Sequence, residues 1–366
     1  MKIAIDIRTA GGEKTGKGFF TFHLVQNLLK IDSKNEYILY TKEKVPGFEQ
    51  FKNATLKPIK GASILWHLNT AKDAKKENVD IFFAPTSYIT PIFLDKKIKV
   101  IIAVHDLVAF LFPNTHNKKA VFIERLLLKR ALKKADKIIA VSQNTKRDLL
   151  SRFKLPQKKI DIIYCAASED FKPLNKETLT KFSKETNLPE KFFLAVGTIE
   201  PRKNYINLIR AFAEVKPRFP NHHLIIVGKN GWDFEPVYKE IRENYLTKNV
   251  HILGYLSGKN LVNLYNLAQA FVFPSFYEGF GIPPLEAMKC GCPVISSYTS
   301  SLPEVVGDSA LLIDPSNHLE IAGAMLKIIQ NDDLHQRLQN AGLLQARKFS
   351  WEDSAKNFLA ILKQLS

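Results

Sequence analysis

Cysteine, methionine and tryptophan are scarce, with three of each in 366 residues. Three thiols cannot build a disulfide framework, which points to free thiols in a reducing compartment. No apolar run approaches the roughly 20 residues that span a bilayer, so a membrane-spanning chain is excluded. The Asp6 carboxylate lies where a signal peptide needs its apolar stretch, so secretion is not expected. Acids are also in short supply, 36 against 53 Lys and Arg. The deficit is uneven. Residues 1–170 carry 31 cations against 17 acids, a balance of +14, whereas residues 171–366 reach only +3. A field of that sign attracts nucleic acid, anionic lipid or phosphorylated small molecules, and charge alone does not choose among them.

Against these shortages stands an ordinary globular composition, 45% apolar and 24% charged, in a chain long enough for two domains. Short apolar runs alternate with helical patterns throughout. Strands are expected at 2–7, 37–40, 81–84, 100–104, 138–141 and 160–164, then at 192–196, 224–227, 250–253, 270–273, 294–296 and 311–313. Helical patterns include 19–29, 118–135, 205–215, 236–245, 257–268, 318–329 and 351–365. Continuous apolar strands between helices predict an α/β protein with doubly wound parallel sheets. The expected organisation is two Rossmann-like domains facing a cleft, 1–170 and 171–348, with a terminal helix in 349–366 that packs on either. Ligands of such sheets bind beyond the carboxyl ends of the strands, and motifs are sought there.

The richest segment is Phe271-Val-Phe-Pro-Ser-Phe-Tyr-Glu278-Gly279-Phe280-Gly281-Ile-Pro-Pro-Leu-Glu286-Ala-Met288. A strand runs into a glycine turn and then a helix beginning near Pro283. Gly279 and Gly281 allow backbone amides to approach a ligand, and carboxylates such as Glu278 and Glu286 can accept paired hydrogen bonds from vicinal hydroxyls. The Glu278-x7-Glu286 spacing resembles the motif of the retaining family 4 glycosyltransferases, which have the GT-B architecture. Cys290-Gly-Cys-Pro-Val-Ile and Leu302-Pro-Glu-Val-Val-Gly-Asp308 extend the resemblance, which covers nearly the whole chain. It implies that Glu278, Gly279, Phe280 and Gly281 hold the donor sugar and that Glu286 holds the nucleotide ribose.

Three further segments follow strands. Val196-Gly-Thr198-Ile-Glu-Pro-Arg202-Lys203-Asn204 places two adjacent cations where a diphosphate can be neutralised without metal. By resemblance, Arg202 and Lys203 support the departing nucleoside diphosphate and Thr198 lies at the donor. Val104-His105-Asp106-Leu107 resembles the family's acceptor-domain motif, which puts His105 beside the donor sugar. Asp6-Ile-Arg8, followed by Thr15-Gly16-Lys17-Gly18, resembles the loop that closes over the diphosphate and assigns Gly16 and Gly18 to the donor. Lys17 departs from the apolar residue of many relatives and suggests a different acceptor or an added phosphate contact. Gly228 and the Gly254-Tyr255-Leu256 turn resemble loops that flank the nucleobase.

Adjacent His222 and His223 on one strand point to opposite faces, which disfavours a shared metal, and Cys290 and Cys292 read as packed thiols. No Asp-x-Asp triplet occurs, so the usual metal–diphosphate site of the other major glycosyltransferase fold is missing. No metal and no cofactor are expected, with the nucleotide-sugar as substrate. The stretch bearing Lys118, Lys119, Arg125, Lys129, Arg130, Lys133 and Lys134 among Val121, Phe122 and Leu126–Leu128 is a basic amphipathic helix. With the +14 of its half, it tilts the expectation toward a cytoplasmic protein in peripheral contact with an anionic membrane. The resemblance, closest to bacterial polysaccharide and O-antigen mannosyltransferases, implies transfer of a hexose to a glycan or lipid-linked glycan, with GDP-mannose the favoured donor and a UDP-sugar the alternative. A sugar- or lipid-binding scaffold without activity is the rival of another class. A nucleic-acid binder is disfavoured, since the charge lacks interleaved aromatic stacking positions.

Overall fold

A computed structural model describes residues 1–12, 14–112, 118–256 and 258–365. The side chains of 118–120 are not described, so those of Lys118 and Lys119 in the basic helix, like Ser257 at the start of an expected helix, lie outside the described residues. Two compact units emerge. One comprises Met1–Pro113, Lys118–Cys165 and Ser350–Ser366, and the other is built on Ala166–Phe349.

The first unit carries strands β1 (Lys2–Asp6), β2 (Glu36–Thr41), β3 (Ala54–Pro58), β4 (Ile81–Ala84), β5 (Lys99–Val104), β6 (Lys137–Ala140) and β7 (Ile160–Ile162). They form one sheet in the order β3-β2-β1-β4-β5-β6-β7, every pair parallel. The second unit carries β8 (Lys191–Val196), β9 (His222–Val227), β10 (Val250–Ile252), β11 (Ala270–Phe273), β12 (Val294–Ser297) and β13 (Ala310–Ile313). Their order is β10-β9-β8-β11-β12-β13, again all parallel. Ile101–Val104, Phe192–Ala195 and Ala270–Phe273 are buried on both faces, as expected where helices cover both sides of a sheet. Each sheet reverses its order once, at β1/β4 and at β8/β11. Loops beyond the carboxyl ends of those strands diverge there and leave room for a ligand.

Strand β3 has no counterpart among the expected strands. It is the edge of its sheet and mixes half-buried with exposed positions without regular alternation, so Ala54-Thr-Leu-Lys-Pro58 lacks the apolar run of a central strand. Helix Ser63–Lys76 was likewise absent from the expected set; its exposed Ile64 and Leu65 blur the apolar face. The terminal helix Trp351–Lys363 belongs to the first unit. Trp351 stacks on His23 at 5.4 Å and meets Phe20 at 6.0 Å, and Phe358 meets Phe83 at 4.6 Å. Burying Trp351, Phe358, Ile361 and Leu362 contributes about 2 kcal/mol per side chain, which ties this helix to the helix Gly16–Ile31 and to β4.

Candidate active site

At the β8/β11 reversal, the chain leaves β8 through Gly197 and Thr198 into a turn of 3-10 helix at Pro201–Lys203. Asn204 ends that turn in the left-handed region at φ 60°, a conformation Asn tolerates better than most residues. Its buried side-chain amide donates to the carbonyls of Pro274 and Pro315 at 3.0 and 2.5 Å, which locks the turn to the ends of β11 and β13. The Phe276 amide donates to the Arg202 carbonyl at 3.0 Å and completes the join. Rigid backbone on both sides thus presents Arg202 and Lys203 to Glu278.

Glu278 bridges the two cations. Arg202 Nη1 is 2.7 Å from Oε2, and Lys203 Nζ is 2.6 Å from Oε1. Arg202 also donates through Nη2 to Glu200 at 2.6 Å and through Nη1 to the Tyr277 carbonyl at 2.7 Å. Burial raises the Glu278 pKa, but Arg202 and Lys203 outweigh it and hold the carboxyl below its usual range. It is therefore ionised at neutral pH. Two cations thus face two carboxylates, Glu278 and Glu200, and all four side chains are 16% exposed or less. An arriving dianionic group meets cations already largely stripped of water, so the hydration that remains to be lost is mainly its own. Glu200 went unnoticed in the sequence reading; its position two residues before Arg202 was the available signal.

Glycines set how closely these loops approach. A Cβ on Gly228 would fall 1.9 Å from the Gly197 carbonyl oxygen, so β8 and β9 can end side by side only with glycine there. The Gly228 amide donates to the Gly254 carbonyl at 2.8 Å, and Ile199 pairs with the 229–231 segment through two 2.9 Å bonds. Thr198 is exposed at this rim, and Lys229 Nζ lies 5.2 Å from the centre of the half-buried Tyr255 ring, with Leu256 also half-buried. Gly281, at φ +109°, caps the helix Ile282–Lys289, a conformation that L side chains rarely adopt. Gly279 and Phe280 are buried, and the Ser301 hydroxyl sits 2.9 and 2.7 Å from the carbonyls of Glu278 and Phe280. Glu286 lies on that helix with Tyr265 as its hydrogen-bond donor at 3.0 Å. Burial pushes its pKa up to about 7, with the tyrosine hydroxyl opposing the shift.

The remaining sequence-assigned residues lie in the first unit. His105 follows β5, and its Nε2 is 2.7 Å from the Pro85 carbonyl, which only accepts. Nε2 therefore carries the proton and Nδ1 keeps its lone pair. Burial, reinforced by Lys17, lowers the His105 pKa to about 4, so the ring is neutral at physiological pH. Lys17 Nζ stands 3.9 Å from Asp106. Glu124, whose pKa burial raises to about 7 with Asp106 adding to the rise, belongs to the same electrostatic group. Gly16 opens the helix Gly16–Ile31, and a Cβ on Gly18 would sit 2.4 Å from the Thr9 carbonyl. Arg8 forks onto buried Asp6 at 2.9 and 2.7 Å and stacks 3.8 Å over Trp66, so this pair braces the end of β1. His222 is buried, while His223 pairs with His251 at 2.9 Å, and Cys290 and Cys292 are buried free thiols. Among the described residues no group of three or more His, Cys, Asp or Glu is gathered as a metal site.

Residues 176–345 match the family model "Glycosyl transferases group 1", and residues 38–171 match "Glycosyltransferase Family 4". The chain is 33% identical over 305 residues to the Escherichia coli O-antigen chain mannosyltransferase B, covering 82% of this chain and 77% of that protein. It is 32% identical over 265 residues to the E. coli serotype-specific mannosyltransferase WbdA, 70% of this chain but 32% of that longer protein. Anabaena Alr3699/HepE, solved in complex with UDP and glucose, superposes over the full length of both chains with TM-score 0.81 at 18% identity. That likeness gives the fold, GT-B with two Rossmann-like units. Both halves of the chain match glycosyltransferase models and a mannosyltransferase covers most of it, so the chain belongs to the group 1 and family 4 glycosyltransferases.

Proposed function

We propose that the protein is a retaining, metal-independent glycosyltransferase that moves mannose from GDP-mannose to a glycan or lipid-linked glycan in surface polysaccharide assembly. The observation that carries this reading is the pairing of Arg202 and Lys203 with ionised Glu278 at the β8/β11 reversal. The sugar–phosphate bond breaks as negative charge gathers on the leaving diphosphate. Arg202 and Lys203 stabilise that charge in a site of low dielectric, which is the main catalytic contribution. The acceptor oxygen attacks from the face the diphosphate leaves, its proton passes to the departing phosphate oxygen, and the configuration is kept. Glu278 and the Gly279–Gly281 backbone hold the sugar, Glu286 takes the ribose hydroxyls, and neutral His105 offers Nδ1 to a sugar hydroxyl. Gly16, Gly18, Thr198, Gly228 and the Gly254–Leu256 turn complete the donor site. Mannose is favoured by the two E. coli mannosyltransferases.

A panel of GDP-mannose, UDP-glucose and UDP-GlcNAc, read by thermal shift and slow donor hydrolysis with EDTA present, tests the reading. Stabilisation by GDP-mannose with release of GDP is expected. Stabilisation by the UDP-sugars alone would move the donor to a UDP-hexose, and activity lost in EDTA and restored by Mg²⁺ or Mn²⁺ would overturn metal independence.

Glu286 makes the donor site sensitive to pH. Its free-state pKa is raised to about 7 by burial, and ribose hydroxyls favour the carboxylate, so donor binding lowers that pKa. Affinity for GDP-mannose, whose diphosphate diester does not titrate in this range, therefore rises with pH through 7 and levels above it. Calorimetry should show about tenfold weaker binding at pH 6 than at pH 8. Glu286→Gln should flatten the profile and weaken binding at pH 8. A flat wild-type profile removes Glu286 from the ribose.

Among the described residues no helix is long and apolar enough to cross a membrane. The charge of the first unit is what supports the proposed setting, peripheral at the inner face of an anionic cell membrane.

A further inference from the structure

We propose that a cavity on the outer side of the helix Lys118–Lys134 binds the phosphate of an anionic phospholipid while the apolar side chains beside it enter the bilayer. This deepens the membrane part of the reading above and is independent of the donor. The cavity, about 230 Å³, is lined by Phe110, Arg125, Lys129, Arg152 and Phe153, drawn from three helical segments and their ends. Phe110 and Phe153 meet edge to face at 5.3 Å and form an apolar floor. Arg125 and Arg152 are held over the Phe110 ring, with guanidinium carbons 5.6 and 5.8 Å from its centre. Arg125 is fixed further by its Nε, which donates to the Ala109 carbonyl at 2.8 Å and leaves both Nη groups for another acceptor.

Charge points to an anion. Among the described residues, none of Arg125, Lys129 and Arg152 has a carboxylate partner. That contrasts with Arg202 and Lys203, which Glu278 and Glu200 neutralise. Three unneutralised cations around one small cavity repel each other, a cost that a phosphate removes through charge-assisted hydrogen bonds.

The surroundings point to a lipid as the carrier of that phosphate. Phe122, Arg125, Leu126 and Lys129 are spaced i, i+3, i+4, i+7, so they share one face of the helix. Phe122 is 70% exposed and Leu126 47%, with Ile123 at 44% on the same outer side and Leu111 at 36% on the preceding helix. Large apolar side chains on a solvated helix face are costly unless something covers them. Arg130 and Lys133 extend the exposed basic flank, and Glu124, the one acid of the helix, lies on the inward side with buried Leu128 and Ala131. Apolar tips within one turn of a cationic phosphate pocket match the depth order of a phospholipid leaflet, acyl chains below headgroups.

Vesicle flotation tests the site, with phosphatidylglycerol–phosphatidylcholine vesicles set against phosphatidylcholine alone. Wild-type protein should float with the anionic vesicles only. Each cation at an anionic surface contributes about a fivefold gain, so Arg125→Ala with Arg152→Ala should lower retention about thirtyfold. Lys30→Ala with Lys34→Ala, an equal loss of exposed charge elsewhere in the unit, should cost less than about fivefold. Phe122→Ser with Leu126→Ser should also lower retention, since both side chains point outward and folding does not depend on them. Equal losses in the two double-cation variants would reduce the effect to a diffuse field and overturn the pocket. Thermal stabilisation by inorganic phosphate that is lost with Arg125 and Arg152, while vesicle retention stays unchanged, would make the occupant a free phosphate and overturn the lipid assignment. Failure of GDP-mannose hydrolysis in wild type would count against the donor reading alone.

Discussion

Lys203→Ala is expected to lower turnover by about 100- to 1000-fold, the range seen when one preorganised donor to a developing anion is removed. The side chain is 12% exposed and its ammonium lies 2.6 Å from Glu278, so it is already positioned and largely dehydrated before substrate arrives. Little reorganisation then remains for the step in which the diphosphate departs. The same substitution leaves Glu278 with Arg202 as its remaining ion-pair partner, at a stability cost of about 3 kcal/mol. Lost turnover and lost stability have different remedies. Lys203→Ala combined with Glu278→Gln should recover most of the stability, because the underpaired buried charge is gone, yet remain inactive. Donor turnover together with urea unfolding separates the two. Wild-type turnover in folded Lys203→Ala would sink the diphosphate role.

Gly228→Ala should lower stability by more than about 3 kcal/mol, although it adds a single methyl group. That methyl would lie 1.9 Å from the oxygen and 2.6 Å from the carbon of the Gly197 carbonyl. Both are backbone atoms of the adjoining strand end, and Gly197 is itself fixed by the hydrogen bond its amide donates to the Val227 carbonyl at 2.9 Å. No rotamer change relieves such a clash; the ends of β8 and β9 must separate. Gly254→Ala supplies the contrast. Its φ of +69° makes alanine strained, but nothing lies within 4 Å of the added Cβ, so a loss of about 1 kcal/mol is expected. Urea midpoints of the two variants compare a steric effect with a purely conformational one. Similar losses would show that the Gly228 approach relaxes and that its glycine is not a packing requirement.

The legible part of the architecture was the part written in local periodicity. Central strands such as Phe192–Val196 and Ala270–Phe273 are continuous apolar runs because both faces are covered, and such runs stand out without knowledge of their partners. Edge strand β3 was invisible for the converse reason: with one flank and parts of both faces in water, its residues carry no run and no clean alternation. The helix Ser63–Lys76 was lost because Ile64 and Leu65 are exposed while Trp66 and His67 are buried, which breaks the expected apolar stripe.

The sequence by itself determined the class of chemistry. Two adjacent cations after one strand and the Glu278-x7-Glu286 spacing after another carry the resemblance to the family 4 glycosyltransferases, and both lie at strand ends, where ligands of a doubly wound sheet bind. It also determined the uneven charge that makes one unit a candidate for anionic surfaces. Tertiary structure alone decided the partnerships. Glu278 meets Lys203 across 75 residues of chain, and Arg202 beside it, because β8 and β11 are neighbours in the sheet and Asn204 ties their ends together. Glu286 becomes a group that titrates near neutrality only once the helix Ile282–Lys289 and Tyr265 remove it from water. Arg125, Lys129 and Arg152 become one cationic cavity only when three helical segments converge on the Phe110 and Phe153 rings. The physical reason is the same throughout. Residue type sets what a side chain can do, whereas the strength of a charge depends on which charges face it and how much water remains between them.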